Sequence, residues 1–336
     1  VDNGTKGFAV KALVTGANGF LGAWLTKRLI REGYQVSALV RKSSDLSELE
    51  GVNPQYVYGD VTDLESLKAA FKGQDIVFHL AGLIAYKKSD NEKLERINVG
   101  GTKNVVEACM SVGVPQLLHV SSVVAVGASF RPEPLTEDFE YNIAHLGLGY
   151  FDTKKSAEDI VRSAAKTGKL KAVCVNPSTI YGFGDARKGS RKNQIKVARG
   201  KLPFYTSGGV NVVAVEDVVE GILLAVKNGK NGERYILAGE NMTIKSLFEE
   251  IAAVSGVKAP QIKMPDWLLH TLGCIGDRLF SFGYDIGLSS VNAHTATLFH
   301  WFDSTKAQRE LGFKPTPAKE AIKKSVTWMK DNGYLK

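Results

Sequence analysis

The sequence predicts an α/β protein, a doubly wound parallel sheet of Rossmann type with a smaller, mostly helical C-terminal lobe. Three observations carry this. Short β-branched runs alternate with stretches of helical period through the first half. Three glycines at three-residue spacing separate the first run from the first helix. Past Val175 the alternation gives way to helices with few strand-like runs.

Residues 9–15, 35–40, 55–58, 75–80, 116–121 and 170–175 are apolar without in–out alternation, as strands buried on both faces are. Between them, 20–32 sets Leu21, Trp24, Leu25, Leu29 and Ile30 on one side and stops at Gly33, a natural C′ residue. The stretches 64–71, 91–112 and 150–166 share that period. Right-handed crossovers then place ligands beyond the carboxyl ends of the strands. Downstream, a glycine-rich basic loop spans 182–192, and a strand at 210–215 with a helix at 217–227 reads as a return to the main sheet. Residues 1–175, with 206–240 returning, form the expected dinucleotide-binding domain, and 176–205 with 241–336 the substrate lobe. The apolar run 267–272 reads as core of that lobe.

Apolar residues at 44% and charged residues at 23% suit a globular chain and exclude disorder as its main state. No apolar run is long enough to span a membrane. The net charge of +8 is spread along the chain and not interleaved with aromatics, which argues against nucleic acid and leaves a lysine-rich surface or a phosphorylated cofactor. The densest basic run is 187–192. Cys109, Cys174 and Cys274 are odd in number and far apart, so neither a disulfide framework nor a metal site is expected. A reducing, cytoplasmic setting is the default, and the polar stretch 1–7 holds no apolar secretory core.

The glycine turn reads Thr15-Gly16-Ala17-Asn18-Gly19-Phe20-Leu21-Gly22. Glycine admits positive φ and close backbone approach, and the helix start offers free N–H groups to a pyrophosphate. The second strand ends in Arg41-Lys42-Ser43-Ser44, where a carboxylate would mark NAD. Two cations there suit a 2′-phosphate, so NADP(H) is favoured, with NAD(H) as the alternative. Asp60 is placed to accept from an adenine amino group, Val61 to pack on that ring, and Asp63 to cap the next helix. Leu80-Ala81-Gly82 are small enough to lie against a dinucleotide, and His79 reads as structural.

Tyr150 and Lys154 share a helix face at i, i+4. A phenol of pKa roughly 10 beside an ammonium moves toward the working range of a proton donor and acceptor. These residues occur in order with the glycine turn, Asn98-Val99-Gly100-Gly101-Thr102-Lys103-Asn104, Ser122, Asn176-Pro177-Ser178-Thr179-Ile180-Tyr181-Gly182, Val215-Glu216-Asp217-Val218 and Phe302–Lys306. As a set they resemble the extended short-chain dehydrogenase/reductases, the NAD-dependent epimerase/dehydratase superfamily, over nearly the whole chain.

The resemblance implies that Tyr150 is the general acid/base and that Lys154 binds the nicotinamide ribose. It makes Ser122, five residues before Gly127, the residue that holds the reacting oxygen. Pro177, Thr179 and Ile180 would frame the nicotinamide, Asn98 would bridge a helix to the central loop, and a homodimer would form through the helices 91–112 and 150–166. Dehydratases of the family follow the serine/threonine with Asp and Glu, where this chain has Val123-Val124. Sugar-nucleotide epimerases carry arginine where this chain has Val210, and the usual arginine before Pro177 is replaced by Asn176. The Tyr150-Phe151 pair and Arg41-Lys42 look more like the dihydroflavonol reductase and 3β-hydroxysteroid dehydrogenase branch. The expectation is therefore an oxidoreductase acting on the carbonyl/alcohol pair of an apolar small molecule. Its pocket would be walled by Leu83, Ile84, Ala85, Tyr86, Val123, Val124 and Tyr205 and by parts of 265–300. A sugar-nucleotide epimerase and a non-catalytic dinucleotide-binding scaffold are the alternatives.

Overall fold

The structure, a computed structural model, describes residues 9–187, 191–284 and 286–336. Its main sheet has seven parallel strands. They are β1 (Lys11–Thr15), β2 (Gln35–Val40), β3 (Gln55–Tyr58), β4 (Ile76–His79), β5 (Gln116–Val120), β6 (Lys171–Pro177) and β10 (Arg234–Leu237). The order β3-β2-β1-β4-β5-β6-β10 reverses direction between β1 and β4, where such sheets open a crevice. The strands lack alternation because both faces are covered. Ala12 and Val14 pack with α1 (Phe20–Arg31) and α7 (Val215–Asn228) on one face. Leu13 packs with α2 (Leu64–Phe71), α4 (Gly101–Val112) and α5 (Gly149–Lys166) on the other.

The helix expected over 91–112 is three pieces on one axis: α3 (Asn91–Leu94), a π-helical segment (Glu95–Gly100) and α4. Wide turns of this kind often mark functional positions, and this one holds Asn98.

The expected strand at 210–215 forms, as β9 (Gly209–Ala214), but not in the main sheet. It pairs with β7 (Thr179–Tyr181), β11 (Glu240–Thr243) and β13 (Phe299–His300). Only the following helix returns to the main sheet, through Val218, Val219 and Ile222. The strand that does return is β10, a four-residue run opening on an arginine, which hides its apolar signal. A further pair, β8 (Phe204–Tyr205) with β12 (Ile262–Lys263), edges the lobe.

The lobe core joins α6 (Lys192–Ala198), α8 (Ile244–Ser255) and α12 (Ala318–Asp331), while α11 (Thr305–Leu311) docks on the main sheet. The run 267–272 is not core. It opens α9 (Asp266–Ser281), where Trp267 is 70% exposed and Leu269 is the buried apolar residue of the run. This helix packs through Gly273 and Gly276, against Ser289 and Leu288 ahead of α10 (Ser290–Thr297), so backbone contact replaces a side-chain stripe. No helix among the described residues is long and apolar enough to cross a membrane.

Candidate active site

The turn after β1 uses its glycines for different reasons. Gly16 has φ +70°, and a Cβ there would lie 2.8 Å from the Ala81 nitrogen. At Gly22 a Cβ would overlap the Gly16 carbonyl. Gly19, the N-cap of α1, has ordinary extended φ and one neighbour near its missing Cβ, the Gly16 oxygen at 3.3 Å. The protein's own packing thus rules out a side chain at Gly16 and Gly22, whereas at Gly19 a single neighbour would have to give by a few tenths of an ångström. The start of α1 has no side-chain cap and no acid in its first turn, so its N–H groups and positive dipole end suit a pyrophosphate. Asn18 donates to the Asp45 carbonyl (3.1 Å), Leu21 packs on the core, and Phe20 lies against Gly184.

Arg41 and Lys42 are exposed after β2, and neither is ion-paired with a described residue. The hydroxyl of Ser44 is spent on the Arg41 N–H (3.1 Å), which closes this turn. Oδ1 of Asp60 accepts from the Thr62 N–H and hydroxyl (2.9 and 2.8 Å). Val61 is buried against Gly101, and Asp63 caps α2 as expected.

His79 is structural, as the sequence suggests, and its tautomer can be deduced. The Ala81 N–H donates to the Thr15 hydroxyl (3.1 Å), and the Thr102 hydroxyl donates to the Asn98 carbonyl (2.6 Å). The Thr15 hydroxyl is therefore the donor to Nδ1 (2.9 Å), and Nε2–H donates to Thr102 (3.0 Å). Burial pushes the imidazole pKa down to about 3, so the ring stays neutral. This chain ties the glycine turn to the π-helical segment. Asn98 continues it, accepting from the Leu83 N–H (2.7 Å) and donating to the Leu83 carbonyl (3.0 Å) and Thr153 (3.2 Å).

Lys154 reaches under this loop to donate to the Val120 carbonyl at the end of β5 (3.1 Å). A Cβ on Gly82 would sit 3.3 Å from the Asn98 side-chain oxygen and 3.6 Å from the Lys154 ammonium, so this glycine lies against both. Tyr150 lies one turn earlier, 7% exposed, with the Tyr86 ring edge-on at 5.9 Å. Burial and Tyr86 raise the phenol pKa, against a hydrogen-bonding interaction with Ser122. Burial lowers Lys154 to about 8, opposed by Glu158. Burial thus favours the neutral phenol, the form that donates a proton.

Ala85 and Val124 face the same cluster as Tyr150, with Leu83, Leu94, Phe151, Val291 and Leu298. Val123 does not. It is buried the other way, against Ile236, Ala238 and Phe302. Tyr205 also lies elsewhere, in the lobe core beneath the Lys245 ammonium. Val291 and Leu298 fall within the 265–300 stretch expected to contribute, but were not singled out there because α10, which Leu298 follows, shows no amphipathic period. Pro177 ends β6, Thr179 and Ile180 form β7, and the Ile180 carbonyl accepts from Arg191. In the basic run, Arg191 pairs with Asp185 (3.1 Å) and covers the Tyr181 ring, and Arg187 pairs with Glu48 (3.3 Å). Residues 188–190 lie outside the described residues, as do 1–8.

The family model of the 3-beta hydroxysteroid dehydrogenase/isomerase family matches residues 13–245. A putative dihydroflavonol 4-reductase of Synechocystis sp. is 32% identical, over 96% of this chain and 95% of its own. Sterol demethylase protein B of Methylococcus capsulatus is 30% identical, over 96% and 99%. The crystal structure of gox2253 superposes with a TM-score of 0.86 at 33% identity, over 97% of this chain and 99% of the other.

Proposed function

The chain belongs to the 3-beta hydroxysteroid dehydrogenase/isomerase family, within the extended short-chain dehydrogenase/reductases, and on that premise we propose that it is an NADP(H)-dependent reductase of a ketone or aldehyde on an apolar small molecule. One observation carries this reading: Tyr150, Lys154 and Ser122 converge at the ends of β4 and β5, beside the turn that opens α1. A bound nicotinamide dinucleotide supplies the hydride. Gly19 and the start of α1 would hold its diphosphate, and Leu80, Ala81, Gly82, Pro177, Thr179 and Ile180, at or just past the ends of β4 and β6, would lie along it toward Tyr150. Ser122 holds the substrate oxygen, the neutral phenol of Tyr150 delivers the proton, and the Lys154 ammonium stabilises the phenolate that forms.

The exposed Arg41 and Lys42, with no ion pair among the described residues, favour the 2′-phosphate. The apolar cluster of Leu83, Ala85, Val124, Val291 and Leu298 around Tyr150 favours an apolar substrate, in keeping with relatives named for dihydroflavonol and sterol chemistry. A sugar-nucleotide substrate fits less well, because Asn176 is fully buried and Val210 offers no charge to a diphosphate.

The test is NADPH consumption with a panel of ketones, flavonoid-like compounds, sterols and nucleotide sugars. Turnover of apolar carbonyl compounds is expected. Tyr150→Phe should lower it by about 10²-fold or more while dinucleotide binding persists. Arg41→Ala should narrow the preference for NADPH over NADH, and an unchanged preference would remove the phosphate role.

A further inference from the structure

Below Lys154, α5 carries one more fully buried polar side chain, Glu158. Its carboxylate meets two different strands. The Asn176 side-chain nitrogen, from β6, donates to Oε2 (2.5 Å), and Arg234, from β10, donates to Oε1 (3.1 Å). The same nitrogen of Asn176 donates to the Ser122 carbonyl (2.9 Å). Flipping the amide would turn its oxygen toward two acceptors, so these bonds decide its orientation. Arg234 is held in turn by the Glu137 carbonyl (2.8 Å), and the Glu137 carboxylate accepts from the Ile236 N–H (2.8 Å).

We infer that Glu158, Asn176 and Arg234 form a positioning unit for the reaction: Asn176 fixes the backbone that carries Ser122, and the Glu158 charge keeps Lys154 an ammonium. The inference rests on the roles proposed above for Ser122, Tyr150 and Lys154. A purely structural ion pair would need Arg234 and Glu158 alone, whereas Asn176 extends the pair to Ser122. The arginine that the resemblance places before Pro177 is absent, and the guanidinium facing Glu158 comes from the neighbouring strand β10.

The titratable groups facing Lys154 are Tyr150 and Glu158 on its own helix, His79 on β4, His119 on β5 and Cys174 on β6. Burial keeps both imidazoles neutral and the Cys174 thiol and Tyr150 phenol protonated. Glu158, neutralised in part by Arg234, is then the anion in that group.

The test is the pH dependence of carbonyl reduction in Glu158→Gln, which keeps the shape and removes the charge. The alkaline fall in kcat should begin about one pH unit lower than in the parent protein, with roughly tenfold less turnover near pH 8. The KM for NADPH should hold, and Glu158→Asp, which retains the charge, should retain the parent profile. A Glu158→Gln profile superimposable on the parent overturns the inference. Should that variant fail to fold, Asn176→Ser is expected to lower kcat without moving the profile, and kcat within twofold of the parent would overturn the Ser122 arm. Tyr150→Phe separates the two levels. If it keeps turnover, the catalytic assignment itself fails; if it is inactive while the Glu158→Gln profile stays in place, only the positioning unit fails.

Discussion

Gly16 and Gly19 stand three residues apart in one turn and answer to different constraints. A side chain at Gly16 would have to adopt φ +70° and collide with the Ala81 backbone, whereas one at Gly19 meets a single oxygen at 3.3 Å. Gly16→Ala should therefore lower folding stability by more than about 1 kcal/mol. Gly19→Ala should cost less stability, because its conformation suits any residue, and should weaken dinucleotide binding instead. Thermal melts with a cofactor titration check the pair; equal loss of stability at both positions would refute the division. The glycine spacing was legible in the sequence, but which glycine serves the fold and which the ligand was not, because that depends on where β4 passes. Val123 and Val124 make the same point. They are identical neighbours in sequence, yet the 3-10 turn Val123–Ala125 sends one toward Ile236 and the other toward Tyr150.

Among the elements, α7 and α9 are both apolar in sequence, with opposite outcomes. In α7, Ile222 is fully buried against the main sheet. In α9, Trp267 is 70% exposed because the helix turns its glycines inward. Ile222→Ala should cost about 2–5 kcal/mol, while Trp267→Ser should stay within about 0.5 kcal/mol. Denaturant melts decide this, and a large loss for Trp267→Ser would restore the core reading of 267–272. The first six strands were legible from their apolar runs. β10 was not, since Arg234 opens it and becomes acceptable only beside the Glu158 carboxylate.

For the whole molecule, buried imidazoles set a pH dependence. Burial lowers His79 to about 3 and His300 to about 4, and drives His119 well below its ordinary value of 6.5. The folded protein keeps these rings neutral while the unfolded chain protonates them below 6.5. Stability is thus fully present above that pH and is lost as pH falls from 6.5 toward 4. Each ring should contribute a slope of about 1.4 kcal/mol per pH unit in that window. Urea midpoints at pH 7, 6 and 5 measure it, and a flat series would show that these rings are not held neutral. The helices through which the resemblance expects a homodimer present Lys103, Glu107, Met110 and Asp159 outward, a face of mixed polarity.

Read alone, the sequence determined the succession of the first six strands and their helices along the chain, the glycine turn, and the residue types able to exchange a proton. Those are local matters of period, spacing and side-chain chemistry. The tertiary structure alone decided that β9 leaves the main sheet, that Tyr205 and Val123 stand away from Tyr150, and that Arg234 and Asn176 meet at Glu158. These depend on which distant segments share a buried space, where a charge or an amide persists only if the fold brings it a partner.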